Sequence, residues 1–265
     1  MVYEKVRCPY CKSEKIVRYG KSKSGKQKYK CCNETCSHKI FQMEYQYKAC
    51  EPGMKERIIQ MVMNGSGTRD TGRVLGIDKD TVTSVLKKNR TFPEKINRAY
   101  LEAISGEIEI DIVRCTEAES QEIMKNAGIE AEMDEMWSFY HDKKHQIWLW
   151  WAVEHKTNTP LAYTLGTREH KYLDELLKLL EPFHIVKVYA DANYAYESRI
   201  HSAVVVTGKK NTQKIERNHL TLRTRIKRLA RKTICFSKSK EIHEIVIGIF
   251  INIFFFHRKL PGSLF

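Results

Sequence analysis

Ile129-Glu130-Ala131-Glu132-Met133-Asp134-Glu135-Met136-Trp137-Ser138-Phe139 is the stretch on which the fold turns. It reads as a strand, and the residues C-terminal to it read as the rest of a sheet. Ile147 to Val153 (Ile-Trp-Leu-Trp-Trp-Ala-Val) is a buried strand and Pro160 to Leu165 a third, together an antiparallel meander. Tyr172 to Leu180 is an amphipathic helix, and Ile185 to Ala190 a strand ending at Asp191. A short helix carries Tyr196 to Ile200, and Val204 to Val206 is the final strand. A long basic helix is expected from Ile215 to Arg231, with Leu222, Ile226 and Leu229 inward. Trp137, Trp148, Trp150 and Trp151 are expected in the core rather than stacked on bases.

The order β-β-β-α-β-α-β-α is that of an α/β ribonuclease-H-like domain. In open α/β sheets chemistry collects at the carboxyl ends of strands, where Asp191 falls. Asp134 lies on the first strand, which would neighbour the fourth, and Glu216 opens the last helix. Three carboxylates from separate elements can hold Mg²⁺ (or Mn²⁺), because hard cations want oxygen ligands. A two-metal clamp suits in-line attack on a phosphodiester. Each carboxylate also has an ordinary reading. Asp134 would be a solvated strand end, Asp191 a turn residue, and Glu216 a first-turn residue favoured by the helix dipole. Glu216 stands out because its helix is otherwise crowded with Arg217, Arg223, Arg225, Lys227 and Arg228. Arg217, His219 and Arg223 are expected to touch DNA, with His219 and Arg223 sharing one helical face with Glu216.

Cys8-Pro9-Tyr10-Cys11 is a C-x2-C knuckle, and Cys31-Cys32-Asn33-Glu34-Thr35-Cys36 comes after a hairpin tip at Gly20 to Lys26. Zinc needs four soft or borderline ligands at tetrahedral geometry, and two cysteine pairs supply them. The expected ligands are Cys8, Cys11, Cys31 and Cys36, with Cys32 and His38 as rivals in the second knuckle. Residues 1–50 are therefore expected to form a zinc ribbon, since so short a segment rarely folds without a metal or disulfide.

Residues 51–90 read as a helix-turn-helix domain. Ile58, Ile59, Met61, Val62 and Met63 form a first helix that stops at Asn64-Gly65. Thr68 is expected to cap a second helix ending at Leu75, before Gly76, and Asp78 to cap a third from Lys79 to Asn89. Val82, Val85 and Leu86 point inward, which leaves Lys79, Asp80, Thr83, Ser84 and Lys87 to face a major groove. The ordinary alternative is a plain three-helix bundle. Residues 91–127 read as a connector, with a helix from Glu94 to Ile104 and an acidic stretch from Glu107 to Glu122. Residues 128–265 complete a multidomain chain as its catalytic domain.

Charge supports this division. The 265 residues carry a net charge of +14, which points to a polyanionic partner. Residues 1–50 hold 12 basic and 4 acidic side chains, and residues 206–265 hold 14 and 3, whereas 107–135 hold 2 and 10. With 42% hydrophobic residues, the composition excludes a disordered polyampholyte and a collagen-like fibre. The first residues contain no apolar signal region, and the apolar run Ile245 to Phe256 is too short to span a bilayer. Five of the eight cysteines crowd into Cys8 to Cys36, unlike a secreted disulfide scaffold. A reduced, cytoplasmic protein with no membrane partner is expected.

Several long strings resemble transposases of the insertion sequence 1 family. They include Cys8-Pro9-Tyr10-Cys11, Tyr29-Lys30-Cys31, Ile58-Ile59-Gln60-Met61, Glu132-Met133-Asp134-Glu135-Met136-Trp137 and Tyr196-Glu197-Ser198-Arg199. Gln213-Lys214-Ile215-Glu216-Arg217-Asn218-His219 and Phe236-Ser237-Lys238-Ser239 extend the resemblance. After Glu244 it is only partly kept, in Ile247-Gly248 and Asn252-Ile253. The resemblance implies a DDE transposase with Asp134, Asp191 and Glu216 as its triad. It also implies that the ribbon and helix-turn-helix recognise terminal inverted repeats, and that two halves often encoded in separate frames stand here in one chain. The expected partners are double-stranded DNA, as inverted repeats and as target, and further copies of the chain in a homo-oligomer on DNA. The expected place is the nucleoid. A non-catalytic DNA-binding regulator and a ribonuclease-H-like nuclease are the competing readings.

Overall fold

The structure is a computed structural model, and it describes residues 5–112, 128–191, 194–201, 204–208, 211–230, 232 and 235–260. The chain divides into two compact units, one built mainly from Met1–Val62 and Ser66–Lys88, the other mainly from Asn89–Arg258.

The first unit opens with an antiparallel sheet of β1 (Ile16–Lys21), β2 (Gln27–Cys31) and β3 (Ile40–Gln42), in that spatial order. Tyr29 faces Phe41 across β2 and β3, with ring centroids 5.7 Å apart. Phe41 closes a small core with buried Cys8, Cys31 and Cys36. So few apolar side chains cannot hold a sheet unaided, which is the physical reason for a metal there.

Three helices come next: α1 (Met54–Met63), α2 (Thr68–Leu75) and α3 (Lys79–Lys88). Ile58, Ile59 and Val62 are buried, as are Val82 and Leu86, the residues that the helical period places inward. The α2–α3 turn depends on two glycines. Gly76 takes the left-handed conformation (φ 65°), and a Cβ on Gly72 would meet the Ile77 carbonyl oxygen at 2.8 Å. The N-cap of α2 is Gly67 rather than Thr68, which is already the first helical residue. Asp78 does cap α3, its Oδ1 accepting the Asp80 N–H at 2.6 Å.

The second unit is built on a five-stranded sheet of spatial order β6-β5-β4-β7-β8. β4 (Ile129–Phe139), β5 (Gln146–Glu154) and β6 (Pro160–Gly166) form the antiparallel meander. β7 (Ile185–Ala190) runs parallel to β4, and β8 (Val205–Thr207) runs parallel to β7. This unit begins with a helix, α4 (Arg98–Ile112), ahead of β4. Among the later elements, α5 (His170–Leu180) lies between β6 and β7, and α6 (Tyr194–Glu197) between β7 and β8. Beyond β8 come α7 (Gln213–Arg225) and α8 (Lys240–Phe254). The order read from the sequence is the order of this unit from β4 onward, with α8 added.

β5 is apolar on both faces because the sheet is covered on both sides. Trp150 meets Tyr196 edge to face on one side, and Trp151 meets Phe255 on the other, at centroid distances of 6.2 and 5.3 Å. Both are fully buried, whereas Trp137 and Trp148 are only half-buried. Trp148 instead lies under the Arg168 guanidinium at 4.7 Å.

Two helix boundaries differ from expectation. The helix expected from Glu94 begins at Arg98, as α4. Residues 95–97 are held along β6 by Tyr163 N–H to Lys95 O and Asn97 N–H to Leu161 O, at 2.9 and 2.8 Å. Ile96, Tyr100, Leu101 and Ile104 of the expected connector then pack on the sheet core. The side chains of residues 106–127 and the backbone of 113–127, which hold most of the acidic stretch, lie outside the described residues. The basic helix expected to reach Arg231 stops at Arg225, because Ile226 leaves helical geometry and turns inward with Leu229. The apolar run from Ile245 is the buried part of α8, whose N-cap Ser239 accepts the Ile242 N–H at 3.3 Å. Among the described residues no helix is long and apolar enough to cross a membrane.

Candidate metal centre and candidate active site

The cysteines of the first unit converge. The Sγ atoms of Cys8, Cys11, Cys31 and Cys36 all lie within 4.8 Å of one another. Cys8 and Cys36 are 3.8 Å apart, and Cys11 and Cys31 3.6 Å. A tetrahedral ion with Zn–S bonds of about 2.3 Å requires sulfurs about 3.8 Å apart, so these four fit zinc. Of the candidates in the second knuckle, Cys31 joins the cluster together with Cys36. Cys32 is exposed. His38 offers its carbonyl oxygen to Cys36 Sγ at 3.1 Å and stacks its ring on Tyr10 at 4.2 Å. The knuckle turns rest on a left-handed Lys12 (φ 59°) and on Cys8 N–H to Ser13 O at 3.0 Å. A hydrogen bond from the Ser13 backbone lowers the Cys11 thiol to about 6, whereas burial pushes Cys36 up to about 12.

On the helix-turn-helix, Lys79, Ser84 and Lys87 were expected to face outward together with Thr83. Lys79 and Lys87 are exposed, and Thr83 is half-buried, with its hydroxyl donating to Lys79 O at 3.2 Å. Ser84 lies on the same helix, whose buried face is Val82, Val85 and Leu86.

In the second unit, strand register brings two of the three carboxylates together. Met133 pairs with Ala190 across parallel strands β4 and β7, so Asp134, next on β4, and Asp191, the first residue beyond β7, follow a matched pair. The expectation that the first strand neighbours the fourth is met. Asp134 Oδ1 accepts the Glu135 N–H at 2.8 Å, and its Oδ2 lies 3.3 Å from His219 Nδ1. His219 is 5% exposed, and its contact with Asp134 is on the buried side of α7.

Glu216 stands apart from this pair. Its side chain is exposed on the first turn of α7, and the three carboxylates do not form a group with donor atoms within 4.8 Å. The Asp134–Asp191 pair offers the oxygen donors that a hard cation takes; Glu216 is on the adjoining helix but not closed onto it. Arg217 is exposed and Arg223 half-buried further along α7.

Two supporting groups are not evident from the sequence pattern. Glu132 is 1% exposed. Its Oε2 accepts the Ile215 N–H at 3.0 Å and its Oε1 meets His155 Nδ1 at 2.8 Å. Glu132 and Asp134 share one face of β4, two residues apart, and they hold Ile215 and His219, the residues that bracket Glu216. The i, i+2 spacing of two acids in a strand is the available signal. On the opposite face Glu135 accepts from Tyr196 Oη at 3.0 Å and from Arg168 at 3.2 Å. Burial raises the Glu135 carboxyl above its ordinary value, and the charges of Asp134 and Asp191 add to this.

Known families match three parts of the chain. The family described as IS1 transposase matches residues 127–257, the InsA C-terminal domain matches 45–90, and the InsA N-terminal domain matches 1–36. The first match runs past Phe254 to Phe256, so that segment lies inside the family pattern, which was expected to fade after Glu244. The insertion element iso-IS1n protein InsB of Shigella dysenteriae is 55% identical over 46% of this chain and 92% of its own length. The IS1 protein InsB of Shigella sonnei is 42% identical over 46% of this chain and 94% of its own. The IS1 9 protein InsB of Escherichia coli (strain K12) is 42% identical over 46% and 74%.

Proposed function

The chain belongs to the IS1 transposase family, and on that premise we propose how its units divide the work of transposition. It is a transposase, an enzyme of the polynucleotidyl-transferase type, with a zinc-binding ribbon and a DNA-binding helix-turn-helix. The ribbon and helix-turn-helix read the terminal inverted repeats, with Lys79, Thr83, Ser84 and Lys87 entering a major groove. The second unit is a ribonuclease-H-like domain that cuts and joins DNA, with Asp134, Asp191 and Glu216 as its triad. Copies of the chain pair the two element ends as a homo-oligomer on nucleoid DNA.

The observation that carries this reading is the Met133–Ala190 register, which sets Asp134 beside Asp191. Mg²⁺ (or Mn²⁺) held by the triad would supply Lewis-acid stabilisation of attacking and leaving oxygens. The protein's own residues hold and orient. His219 holds Asp134, and Glu132 fixes the start of α7, the turn that carries Glu216. Arg217 and Arg223 bind flanking phosphates. In cleavage a water oxygen bonds to phosphorus and the bond to the 3′ oxygen breaks, leaving a 3′-hydroxyl. In strand transfer that hydroxyl, losing its proton, attacks a target phosphodiester, whose own 3′ oxygen leaves.

The test is nicking and joining of repeat-bearing DNA by the full chain with Mg²⁺. Asp191→Ala should abolish both products while leaving end binding intact, and unchanged nicking would sink the assignment.

A further inference from the structure

The hairpin between β4 and β5 carries His141-Asp142-Lys143-Lys144-His145, a segment that holds none of the proposed triad. Asp142 sits between two imidazoles. Its Oδ2 is 3.1 Å from His141 Nδ1, and its Oδ1 is 2.9 Å from His145 Nδ1. Donor atoms of all three residues lie within 4.8 Å of one another.

The backbone fixes this convergence. His141 is left-handed (φ 58°), and its N–H donates to Ser237 O at 2.7 Å. His145 N–H donates to Asp142 O at 3.1 Å, and Lys144 N–H to Asp142 Oδ1 at 2.8 Å. The His145 ring also rests 5.1 Å from Tyr140. The donors therefore sit on a short closed turn, and little chain entropy remains to be lost on binding an ion.

We propose that His141, Asp142 and His145 bind a divalent first-row transition ion, foremost Zn²⁺, at a site separate from the cysteine cluster and the carboxylates. Two imidazoles and one carboxylate form a borderline donor set that suits zinc, whereas Mg²⁺ prefers an all-oxygen octahedron. The ion takes the place of the two Nδ1–carboxylate hydrogen bonds, each neutral imidazole then carrying its proton on Nε2. A turn stabilised by hydrogen bonds alone would account for Asp142 and Lys144, but it needs no second imidazole on the other carboxylate oxygen. Lys143 and Lys144 are exposed, so solvent screens their repulsion of the cation. The remaining coordination positions face water. An ion here clips the hairpin that continues the strand carrying Asp134.

The experiment titrates the full chain, its cysteine cluster already loaded with zinc, with ZnCl₂ under excess Mg²⁺. One further zinc per chain should bind at roughly micromolar Kd. Loss of even an outer-shell partner weakens metal sites ten- to a hundredfold, so His145→Ala should weaken this event by about a hundredfold or more. His141→Gln should do the same, which guards against a fault in one variant's folding. Co²⁺ in this site should show ligand-field bands without the thiolate charge-transfer absorption of the cysteine cluster. The proposal is overturned if only one zinc binds per chain. It is equally overturned if both histidine variants titrate like the parent, or if the event is lost in Asp191→Ala instead.

Discussion

His219 Nδ1 lies 3.3 Å from Asp134 Oδ2, a contact that joins helix α7 to the central strand of the sheet. His219 Nε2 is buried with no hydrogen-bond partner among the described residues, so the imidazole adds little net stability for its burial. Its value is therefore in placing the carboxylate. His219→Ala should reduce Mg²⁺-dependent nicking by about ten- to a hundredfold while lowering stability by only on the order of 1 kcal/mol. His219→Gln, which keeps a donor, should recover part of the rate. Nicking that is unchanged while the protein loses several kcal/mol of stability would make the residue merely structural.

Glu132 makes the opposite prediction. Its carboxylate is buried and bonded to Ile215 N–H and His155, so removing it strands two polar partners. Glu132→Ala should cost about 2–4 kcal/mol in denaturant unfolding, and Glu132→Gln less, since an acceptor remains. Amide exchange in the first turn of α7 should quicken most. Equal exchange in parent and Glu132→Ala would show that the helix start is held by other contacts.

A buried histidine links stability to pH. His243 bonds Ser237 Oγ at 3.0 Å and Ser138 Oγ at 2.8 Å, and Arg228 also donates to Ser237 at 3.1 Å. Burial, aided by the Arg228 charge, pushes the imidazole down to about 3. The folded state thus keeps His243 neutral where the unfolded chain takes up a proton. Stability from this group is complete above about pH 6.5, the unfolded value, and is lost as pH falls from there toward 3. The slope approaches about 1.4 kcal/mol per pH unit, so pH 5 costs roughly 2 kcal/mol. His243→Asn should flatten unfolding free energy between about pH 6.5 and 5; an unchanged slope in that variant would place the linkage elsewhere.

The face of α3 can be tested through salt. Exposed Lys79 and Lys87, if they neutralise phosphates, each release about one counterion. Lys87→Ala should weaken binding to repeat and random DNA alike and reduce the log–log salt slope by about 1. Ser84→Ala should leave that slope alone. A Lys87→Ala chain with the parent slope would mean that this face of α3 does not meet the backbone.

How far each feature is legible in the sequence depends on the range of the interaction responsible. Asp134 and Asp191 are legible because strand order and strand ends follow from apolar runs and their punctuation. Gly76 is legible because a left-handed turn demands it. Apart from the N-cap of α2, which shifts by one residue, the departures lie where local pattern does not reach. Asn97 and Lys95 are drawn into a bridge with β6, so the helix expected at Glu94 starts late. α7 ends at Arg225, at a turn that no local propensity announces, although Ile226 faces inward as expected. Helical spacing gives the face of α7 on which His219 lies, but not its partner on β4, and so points to a phosphate contact. The exposed Glu216 shows the same gap: local pattern gives its helix but not where its carboxylate stands relative to the pair.

The zinc cluster discriminates among its rivals most directly. The geometry admits Cys8, Cys11, Cys31 and Cys36 and leaves Cys32 and His38 outside. Cys32→Ser and His38→Ala should each keep the tightly held zinc, whereas Cys31→Ser should release it. The core around these thiols is Phe41 and a few half-buried side chains, too little to hold β1 to β3 without metal. Released zinc should therefore unfold the ribbon and abolish binding to the element ends, with the second unit's thermal transition preserved. Zinc retention in Cys31→Ser together with loss in Cys32→Ser would assign the fourth ligand to Cys32. End binding that survives complete zinc removal would show that the helix-turn-helix alone reads the ends.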